Sequence, residues 1–275
     1  MLSEHYTGSF YEQLRTGAKR SAEIIVPLVL NLVPARSVVD VGCGDGSWLA
    51  AFRKFGVDEI LGIDGEYVDP VLLQIPRDCF QAVNLTRSFG LGRIFDMAIS
   101  LEVAEHLPSD SAPVFVECLT RLAPVILFSA AIPFQGGTDH VNEQWQDKWA
   151  ALFRGHRYLA VDCIRKRVWA NEAVEWWYAQ NTLLFVQAGL LENNGALKAE
   201  FEKTNPDQLC LVHPRQYMQV LATSRQSTFE PGVKAAARHL LTCLRDGVGR
   251  RLHATPNEEA PPRAGGDPAD LPTRR

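Results

Sequence analysis

A short strand that runs into a glycine-rich turn is the feature that most constrains this chain. Val38, Val39 and Val41 are β-branched on both faces of the strand, as in a central parallel strand covered by helices on each side. The next five residues, Gly42-Cys43-Gly44-Asp45-Gly46, contain three glycines, which allow a tight turn and close approach of a ligand to backbone amides. The pattern predicts a nucleotide-like ligand at this turn, although the glycines alone are also compatible with a plain strand-to-helix turn.

Strand and helix patterns alternate on both sides of this turn. Apolar residues at helical spacing predict a helix over 21–32, which Pro34 ends. The other predicted helices are 47–55 and 111–122, and the predicted strands are 37–41, 59–63, 80–83, 95–100, 124–129, 158–167 and 181–186. This alternation predicts an α/β fold with a Rossmann-like, doubly wound, mostly parallel sheet.

Composition divides the chain into four segments. We predict an N-terminal helical cap over 1–36, a ligand-binding domain over 37–190 and a C-terminal extension over 191–251. Residues 252–275 are rich in proline, glycine and charge, which is the composition of a disordered tail.

Charge and cysteine usage narrow the partners and the location. The formal net charge of -4 provides no positive field to attract nucleic acid or anionic lipid, so we expect a small-molecule partner. The six cysteines form no Cys-x-x-Cys pair and predict reduced thiols in a cytoplasmic protein. The apolar run 24–33 is interrupted by Pro27 and Asn31 and is too short to span a bilayer, so no membrane partner is expected. The sequence does not indicate an oligomeric state.

An acidic residue at the end of the next strand supports the ligand site. Asp64 stands at the roughly 20-residue offset at which a carboxylate accepts hydrogen bonds from ribose hydroxyls. Ser47 occupies the position of the third glycine of Gly-x-Gly-x-x-Gly, so the pyrophosphate-binding pattern is incomplete. A nucleoside cofactor without phosphate, such as S-adenosylmethionine, does not need that glycine.

These residues resemble a known family. Residues 39–46 and Gly62-Ile63-Asp64 are similar to the first two motifs of class I S-adenosylmethionine-dependent methyltransferases, and 95–100 resembles the fourth strand of that family. Asn84 replaces an acidic residue that the family often has near the adenine. The resemblance implies S-adenosylmethionine as cofactor and an antiparallel hairpin that closes the sheet. The cofactor-binding residues that it implies are Asp40, Gly42, Cys43, Gly44, Asp64, Asn84, Leu85 and Glu102.

Two polar loops follow the fourth and fifth predicted strands. The first carries Glu102, Glu105 and His106, and the second carries His140 and Glu143. Because the carboxyl ends of parallel strands form the ligand-binding edge of an open sheet, we expect these side chains to converge. Methyl transfer from a sulfonium requires activation of the acceptor alone, by a base or a metal. We therefore assign catalytic roles to His140 and Glu143.

The spacing Glu-x-x-Glu-His with a later histidine resembles the metal site of Hen-type small-RNA 2′-O-methyltransferases and of ubiquinone-pathway O-methyltransferases. The resemblance implies a divalent cation, Mg²⁺ or a similar ion, held by Glu102, Glu105, His106 and His140. An alternative stays open, because the same motif occurs in class I methyltransferases in which the glutamates organise the cofactor and the histidine packs at a helix start.

Three functions are compatible with these features. The first is methyl transfer to an oxygen or nitrogen of a small molecule, with a sugar-containing metabolite or glycan precursor suggested by the aromatic residues of 145–178 and the implied metal. The second is RNA 2′-O-methylation, which the acidic charge disfavours. The third is a catalytically inactive cofactor-binding partner subunit. The basic run 165–167 is expected to be a solvated strand edge, too short for nucleic-acid binding.

Overall fold

A computed structural model of the protein describes residues 8–228. The predicted tail 252–275 lies outside the described residues, and so do residues 229–251 of the predicted extension. The chain divides into a compact unit, Met1–Leu221, and a second unit, Ala222–Arg275; the sheet and the candidate site belong to the first.

Nine α-helices are present in the described part of the chain. They are α1 (Gly8–Leu32), α2 (Ser47–Lys54), α3 (Ala112–Leu122), α4 (Gln146–Gly155), α5 (Arg165–Val168), α6 (Trp176–Asn181), α7 (Ala188–Asn193), α8 (Gly195–Glu202) and α9 (Pro214–Thr228). No helix among residues 8–228 is long and apolar enough to cross a membrane.

Seven strands form one sheet in the order β3-β2-β1-β4-β5-β7-β6. They are β1 (Ser37–Val41), β2 (Glu59–Asp64), β3 (Phe80–Ala82), β4 (Met97–Leu101), β5 (Val125–Ser129), β6 (Tyr158–Val161) and β7 (Leu183–Gln187). Strand β7 pairs antiparallel with both β5 and β6, whereas all the other pairs are parallel. The predicted doubly wound, mostly parallel sheet with a closing antiparallel hairpin is confirmed.

Two apolar cores cover the two faces of the sheet. Val38 packs in the core that includes α1 and α2, and its neighbour Val39 packs in the core that includes α3 and α4. Successive side chains of a strand point to opposite faces, so a strand that is β-branched at both positions contributes to both cores. The central position of β1 places its carboxyl end, with the glycine turn, between the turns that follow β2 and β4.

The predicted strand 158–167 is too long, and the expectation that its basic end is solvated holds for Lys166 and Arg167 but is wrong for Arg165. Strand β6 ends at Val161, and residues 165–168 form the short helix α5. Arg165 is fully buried rather than solvated, since its guanidinium group donates to both carboxylate oxygens of Asp162 at 2.8 and 2.9 Å and to the carbonyl of Leu209 at 2.7 Å. A buried arginine is stable only when its charge and its donors are paired in this way.

Candidate active site

The glycine turn after β1 has the backbone that its sequence requires. Gly42, Gly44 and Gly46 have φ angles of 86°, 52° and 79°, in the left-handed region that side chains disfavour. A Cβ atom at Gly42 would lie 2.4 Å from a methyl group of Val103, in the loop after β4. The amides of Gly42 and Cys43 both donate to the carbonyl of Ile63, at 2.8 and 3.2 Å. The turn is therefore compact and joins the ends of β1 and β2.

Asp64, the predicted ribose ligand, is held at the end of β2. Its carboxylate accepts from the amides of Gly44 at 2.8 Å and Gly65 at 2.7 Å, and it also accepts from the hydroxyl of Tyr67. Asp40 lies behind it, where burial, followed by the charges of Asp64 and Asp45, raises the pKa of Asp40 well above its usual range. The turn thus brings carboxyl groups close together, while the amides of Gly42, Cys43 and Gly44 donate within the protein.

A cavity of about 700 Å³ opens beside this turn. Most of the predicted cofactor residues line it: Gly42, Gly44, Asp64, Asn84, Leu85 and Glu102. Asp40 and Cys43 are buried and are not part of its lining. The oxygen of Asn84, predicted to lie near the adenine, accepts from the amide and the hydroxyl of Thr86 at 3.0 and 2.7 Å. Among the described residues, no lysine or arginine lines this cavity.

Three of the four predicted metal ligands lie close together. Glu105, His106 and His140 each offer a ligand atom within 4.8 Å of the others, and the two imidazole rings are 4.9 Å apart and nearly perpendicular. His106 also lines the cofactor cavity, so the cluster and the cavity share a wall. The strand-end geometry therefore brings together residues that are up to 35 positions apart in sequence.

The charges of this cluster are unusual. Glu105 is completely buried, and neither of its carboxylate oxygens has a hydrogen-bond partner in the described part of the chain. Burial, followed by the nearby Glu102, raises the pKa of Glu105 well above its usual range. Burial and His140 lower the pKa of His106. A divalent cation would favour the ionised carboxylate of Glu105 and would bind a neutral imidazole, so it would offset both the burial of the acid and the proximity of the two histidines.

Glu143 organises the loop that carries His140. Its carboxylate accepts from the amides of Phe134 and Gly136, both at 2.8 Å, and lies 2.9 Å from Nδ1 of His140. A Cβ atom at Gly137 would lie 2.3 Å from Nε2 of His140, so the ring fits here only because that residue is glycine. The predicted catalytic pair is therefore in contact, with Glu143 orienting the imidazole.

The same loop is tied to the loop after β4. The amides of Val141 and Asn142 donate to the carbonyl of Glu105 at 2.8 and 3.0 Å, and the side chain of Asn142 donates to the carbonyl of Ala104 at 3.2 Å. These bonds fix His140 relative to Glu105 through the backbone, which is a more rigid connection than a contact between two side chains.

Glu102 is not among the three clustered ligand residues, although it is close enough to Glu105 to raise the pKa of that residue. It has a φ angle of 56°, and its carboxylate accepts from the side chains of Gln135 at 2.8 Å and Asn181 at 3.1 Å. Burial raises the pKa of Glu102, and the hydrogen bonds from Asn181, Ser129 and Gln135 oppose that rise. Its assignment as a fourth metal ligand stays a prediction.

Sequence reasoning missed Gln135 and Asn181. Both belong to a buried network of carboxamides, in which Gln135 accepts from Asn181 at 2.9 Å and from Gln180 at 3.2 Å, and Gln180 donates to Gln216 at 2.6 Å. The network connects α6 and α9 to the loops of the site. Nothing in the spacing of these residues indicates it, since Glu102 and Asn181 are 79 positions apart.

Backbone strain and exposed apolar side chains concentrate at this edge. Four described non-glycine residues have positive φ angles, and three of them, Glu102, Phe134 and Asp139, lie in the two site loops. Such conformations cost about 1–3 kcal/mol each and persist where the surroundings enforce them, often at functional sites. Phe134 is 79% exposed, and Val141 and Trp145 on the same loop are also exposed. The rim beside His140 is therefore apolar and accessible.

Comparison with known proteins finds similarity to methyltransferases. A family model described as a methyltransferase domain matches residues 12–188. The sugar N-methyltransferase KedS8 from Streptoalloteichus sp ATCC 53650 is 14% identical with a TM-score of 0.51, covering 68% of this chain and 94% of that one. Magnesium protoporphyrin IX methyltransferase (ChlM) from Synechocystis PCC 6803, with bound SAH, is 17% identical with a TM-score of 0.47, covering 66% and 88%. No curated protein matches the chain.

Proposed function

This chain belongs to the methyltransferase-domain family, and on that premise we propose that it transfers a methyl group from S-adenosylmethionine to an oxygen or nitrogen of a small molecule. The expected acceptor is a sugar-containing metabolite or glycan precursor. One observation carries the proposal: His106 belongs both to the cofactor cavity and to the cluster with Glu105 and His140. Groups able to activate an acceptor therefore lie next to the predicted methyl donor.

Methyl transfer needs no acid or base to act on the methyl donor. A lone pair of the acceptor attacks the methyl carbon, the bond from that carbon to sulfur breaks, and S-adenosylhomocysteine leaves as a neutral thioether. The protein must hold the two reactants in line and remove a proton from the acceptor. Asp64 and the close approach that the glycine turn allows are proposed to hold the nucleoside, with the ribose hydroxyls donating to Asp64.

His140 is the proposed base. Its Nδ1 atom lies 2.9 Å from the carboxylate of Glu143, which favours the tautomer with the proton on Nδ1 and leaves Nε2 able to accept a proton. Glu143 would then stabilise the imidazolium that forms. This arrangement, a base oriented by a carboxylate, is a general device for proton transfer at neutral pH.

In a second arrangement, in which Nε2 of His140 binds a metal instead of accepting a proton, the three-residue cluster fits a divalent cation. Glu105 supplies two buried oxygens that have no partner among residues 8–228, and His106 and His140 supply imidazole nitrogens within 4.8 Å of it. The contact between His140 and Glu143 is of the kind that orients metal-bound histidines. A bound cation would lower the pKa of an acceptor hydroxyl and orient its oxygen. Carboxylate and imidazole ligands are compatible with Mg²⁺, Mn²⁺, Fe²⁺ or Zn²⁺, so the ligand set does not identify the ion.

The charges of the site favour a neutral or amine-bearing acceptor over RNA. No lysine or arginine lines the cavity in the described part of the chain, whereas Asp64, Glu66 and Glu102 do. RNA binding depends strongly on cations that neutralise phosphates. The exposed rim residues Phe134, Val141 and Trp145 suit the apolar face of a sugar or another ring. RNA 2′-O-methylation is a second candidate, supported by the Glu-x-x-Glu-His spacing alone.

Metal analysis and a turnover assay test the proposal. The purified protein is assayed for S-adenosylhomocysteine formation with neutral glycosides, amino sugars and an RNA oligonucleotide, before and after treatment with chelator. We expect turnover with a sugar, loss of turnover in chelator, and recovery when a divalent cation is added. Calorimetry should show unchanged S-adenosylhomocysteine affinity in chelator.

Each alternative gives a different result. Turnover that persists in excess chelator, with no metal in the protein, would remove the cation and leave His140 as a base. Methylation of RNA alone would replace the small-molecule proposal. Cofactor binding without turnover on any acceptor would favour the inactive partner subunit. Cell fractionation tests the predicted cytoplasmic location.

A further inference from the structure

The predicted ribose ligand already has a donor from the protein's own chain. Besides two backbone amides, the carboxylate of Asp64 accepts a hydrogen bond from the hydroxyl of Tyr67. That phenol hydroxyl and a ribose hydroxyl are chemically equivalent partners for a carboxylate, because each is a single O–H donor. Asp64 is 4% exposed, so few directions remain from which a further donor can approach it.

The ring of Tyr67 is poorly anchored apart from this bond. It is 83% exposed, although its hydroxyl reaches into the cavity that is lined by Asp64 and Asn84. The ring passes directly over Gly65, where a Cβ atom would lie 2.3 Å from a ring carbon. Burial of the hydroxyl and the adjacent Asp64 raise the pKa of Tyr67, so the hydroxyl stays protonated and donates. An exposed ring loses little packing when it moves.

We propose that the Tyr67 hydroxyl occupies the ribose subsite of the cofactor-free enzyme and is displaced by the ribose diol. The inference rests on the proposed role of Asp64 toward the ribose. The bond keeps a buried carboxylate satisfied when the cofactor is absent, and its return competes with the ribose of S-adenosylhomocysteine after transfer. Tyr67 therefore lowers the affinity for the nucleoside and promotes release of the product.

Removing the hydroxyl tests this competition. In Tyr67→Phe the ring is kept and the donor is lost, so S-adenosylhomocysteine should bind about threefold to tenfold more tightly in calorimetry, as expected when one intramolecular hydrogen bond no longer has to be broken. Tyr217→Phe is the matched control, since Tyr217 is an exposed tyrosine outside the cavity lining, and its affinity should equal that of the wild type. Unchanged or weaker binding by Tyr67→Phe would overturn the proposal.

A pair of nucleosides locates the effect at the diol. Adenosine should gain affinity for Tyr67→Phe by the same factor as S-adenosylhomocysteine, whereas 2′,3′-dideoxyadenosine, which has no ribose hydroxyls, should gain none. Equal gains for both nucleosides would mean that the variant acts on the cavity in general and would contradict displacement by the diol. These measurements use neither an acceptor nor a metal, so their outcome is independent of whether the proposed transfer reaction is correct.

Discussion

The proposed active site has two edges, one proposed to bind the cofactor and the other the acceptor, and they are built in different ways. The cofactor edge consists of backbone: three glycines in left-handed conformations, amides that donate to Ile63 and Asp64, and one carboxylate at a strand end. The acceptor edge consists of side chains from separate loops, with Glu105, His106 and His140 held by Glu143. The first edge is fixed by the local path of the chain, whereas the second depends on long-range contacts.

This difference separates binding from turnover. The cofactor edge is largely formed by main-chain atoms, which a point substitution removes only in part. In the described part of the chain, the acceptor edge contains two carboxylate oxygens of Glu105 without hydrogen-bond partners and strained backbone at Glu102, Phe134 and Asp139, features that lower stability. Substitutions at the two edges should therefore affect different measurements.

The largest expected effect is that of His140→Ala on turnover. Loss of a positioned base costs about 10²- to 10⁴-fold in rate, so kcat should fall by about 10³-fold. The S-adenosylhomocysteine dissociation constant should stay within about twofold, because His140 does not line the cofactor cavity. His156→Ala, at an exposed histidine after α4, is the control. A loss of cofactor affinity equal to the loss of turnover would show that the two edges are not separable.

Asp64→Ala is expected to do the reverse of His140→Ala, because it should weaken cofactor binding more than it lowers kcat. Removing a carboxylate that accepts charge-assisted hydrogen bonds from a ligand costs about 1.5–3 kcal/mol, or roughly tenfold to hundredfold in cofactor affinity. Calorimetry with S-adenosylhomocysteine measures it, and Asp58→Ala, at an exposed aspartate before β2, is the control. Because Asp64 is buried, the melting temperature of the variant must be recorded as well. An unchanged dissociation constant in a folded variant would exclude Asp64 from the site.

The same contrast explains what the sequence could predict. Strand β1, the glycine turn and Asp64 were predictable, because a β-branched strand followed by three glycines dictates a local backbone path. The antiparallel hairpin that closes the sheet followed from the family resemblance. The contacts of Glu102 with Gln135 and Asn181 were not predictable, because they join residues 33 and 79 positions apart with no recurring spacing.

Two local features also escaped sequence reasoning. A run of three basic residues is usually solvated, yet Arg165 is buried, because Asp162 and the carbonyl of Leu209, which is 44 residues away, satisfy its donors. The bond between Tyr67 and Asp64 joins residues only three positions apart, but it depends on a side-chain rotamer that spacing does not determine. Sequence patterns indicate where the backbone goes better than where polar side chains find partners.

A smaller effect on turnover is expected for Gly137→Ala. The added methyl group would lie 2.3 Å from Nε2 of His140 and must displace the imidazole from its position. Misplacing a catalytic group by about 1 Å can cost on the order of 10²-fold, and partial relaxation of the loop should reduce the loss in kcat to about tenfold. Gly155→Ala, where a Cβ atom meets no other atom within 4 Å, is the control. Normal turnover would mean that His140 acts in a different position.

The smallest expected effect is that of Glu105→Gln on the melting temperature. It distinguishes a cation-binding carboxylate from a buried acid that binds no cation. Burial and Glu102 raise the pKa of Glu105 above its usual value of 4.5. At a pH between the usual and the raised pKa, the unfolded chain has lost this proton while the folded chain keeps it, so this group makes the folded state less stable as pH rises. In chelator, Glu105→Gln should therefore melt at a higher temperature than the wild type, by a margin that grows as the pH rises from 4.5 toward the raised pKa of Glu105.

The sign of this difference should depend on the cation. A gain of about 1 kcal/mol corresponds to roughly 2–4 °C in a domain of this size. With saturating divalent cation the order should reverse, because binding stabilises the wild type, which supplies the carboxylate ligand, more than the variant. Glu192→Gln, at an exposed glutamate of α7, should show neither effect. If the melting temperatures of Glu105→Gln and the wild type change with pH in parallel, Glu105 is not a buried neutral acid. If the variant stays more stable than the wild type in saturating cation, Glu105 is not a ligand of the ion.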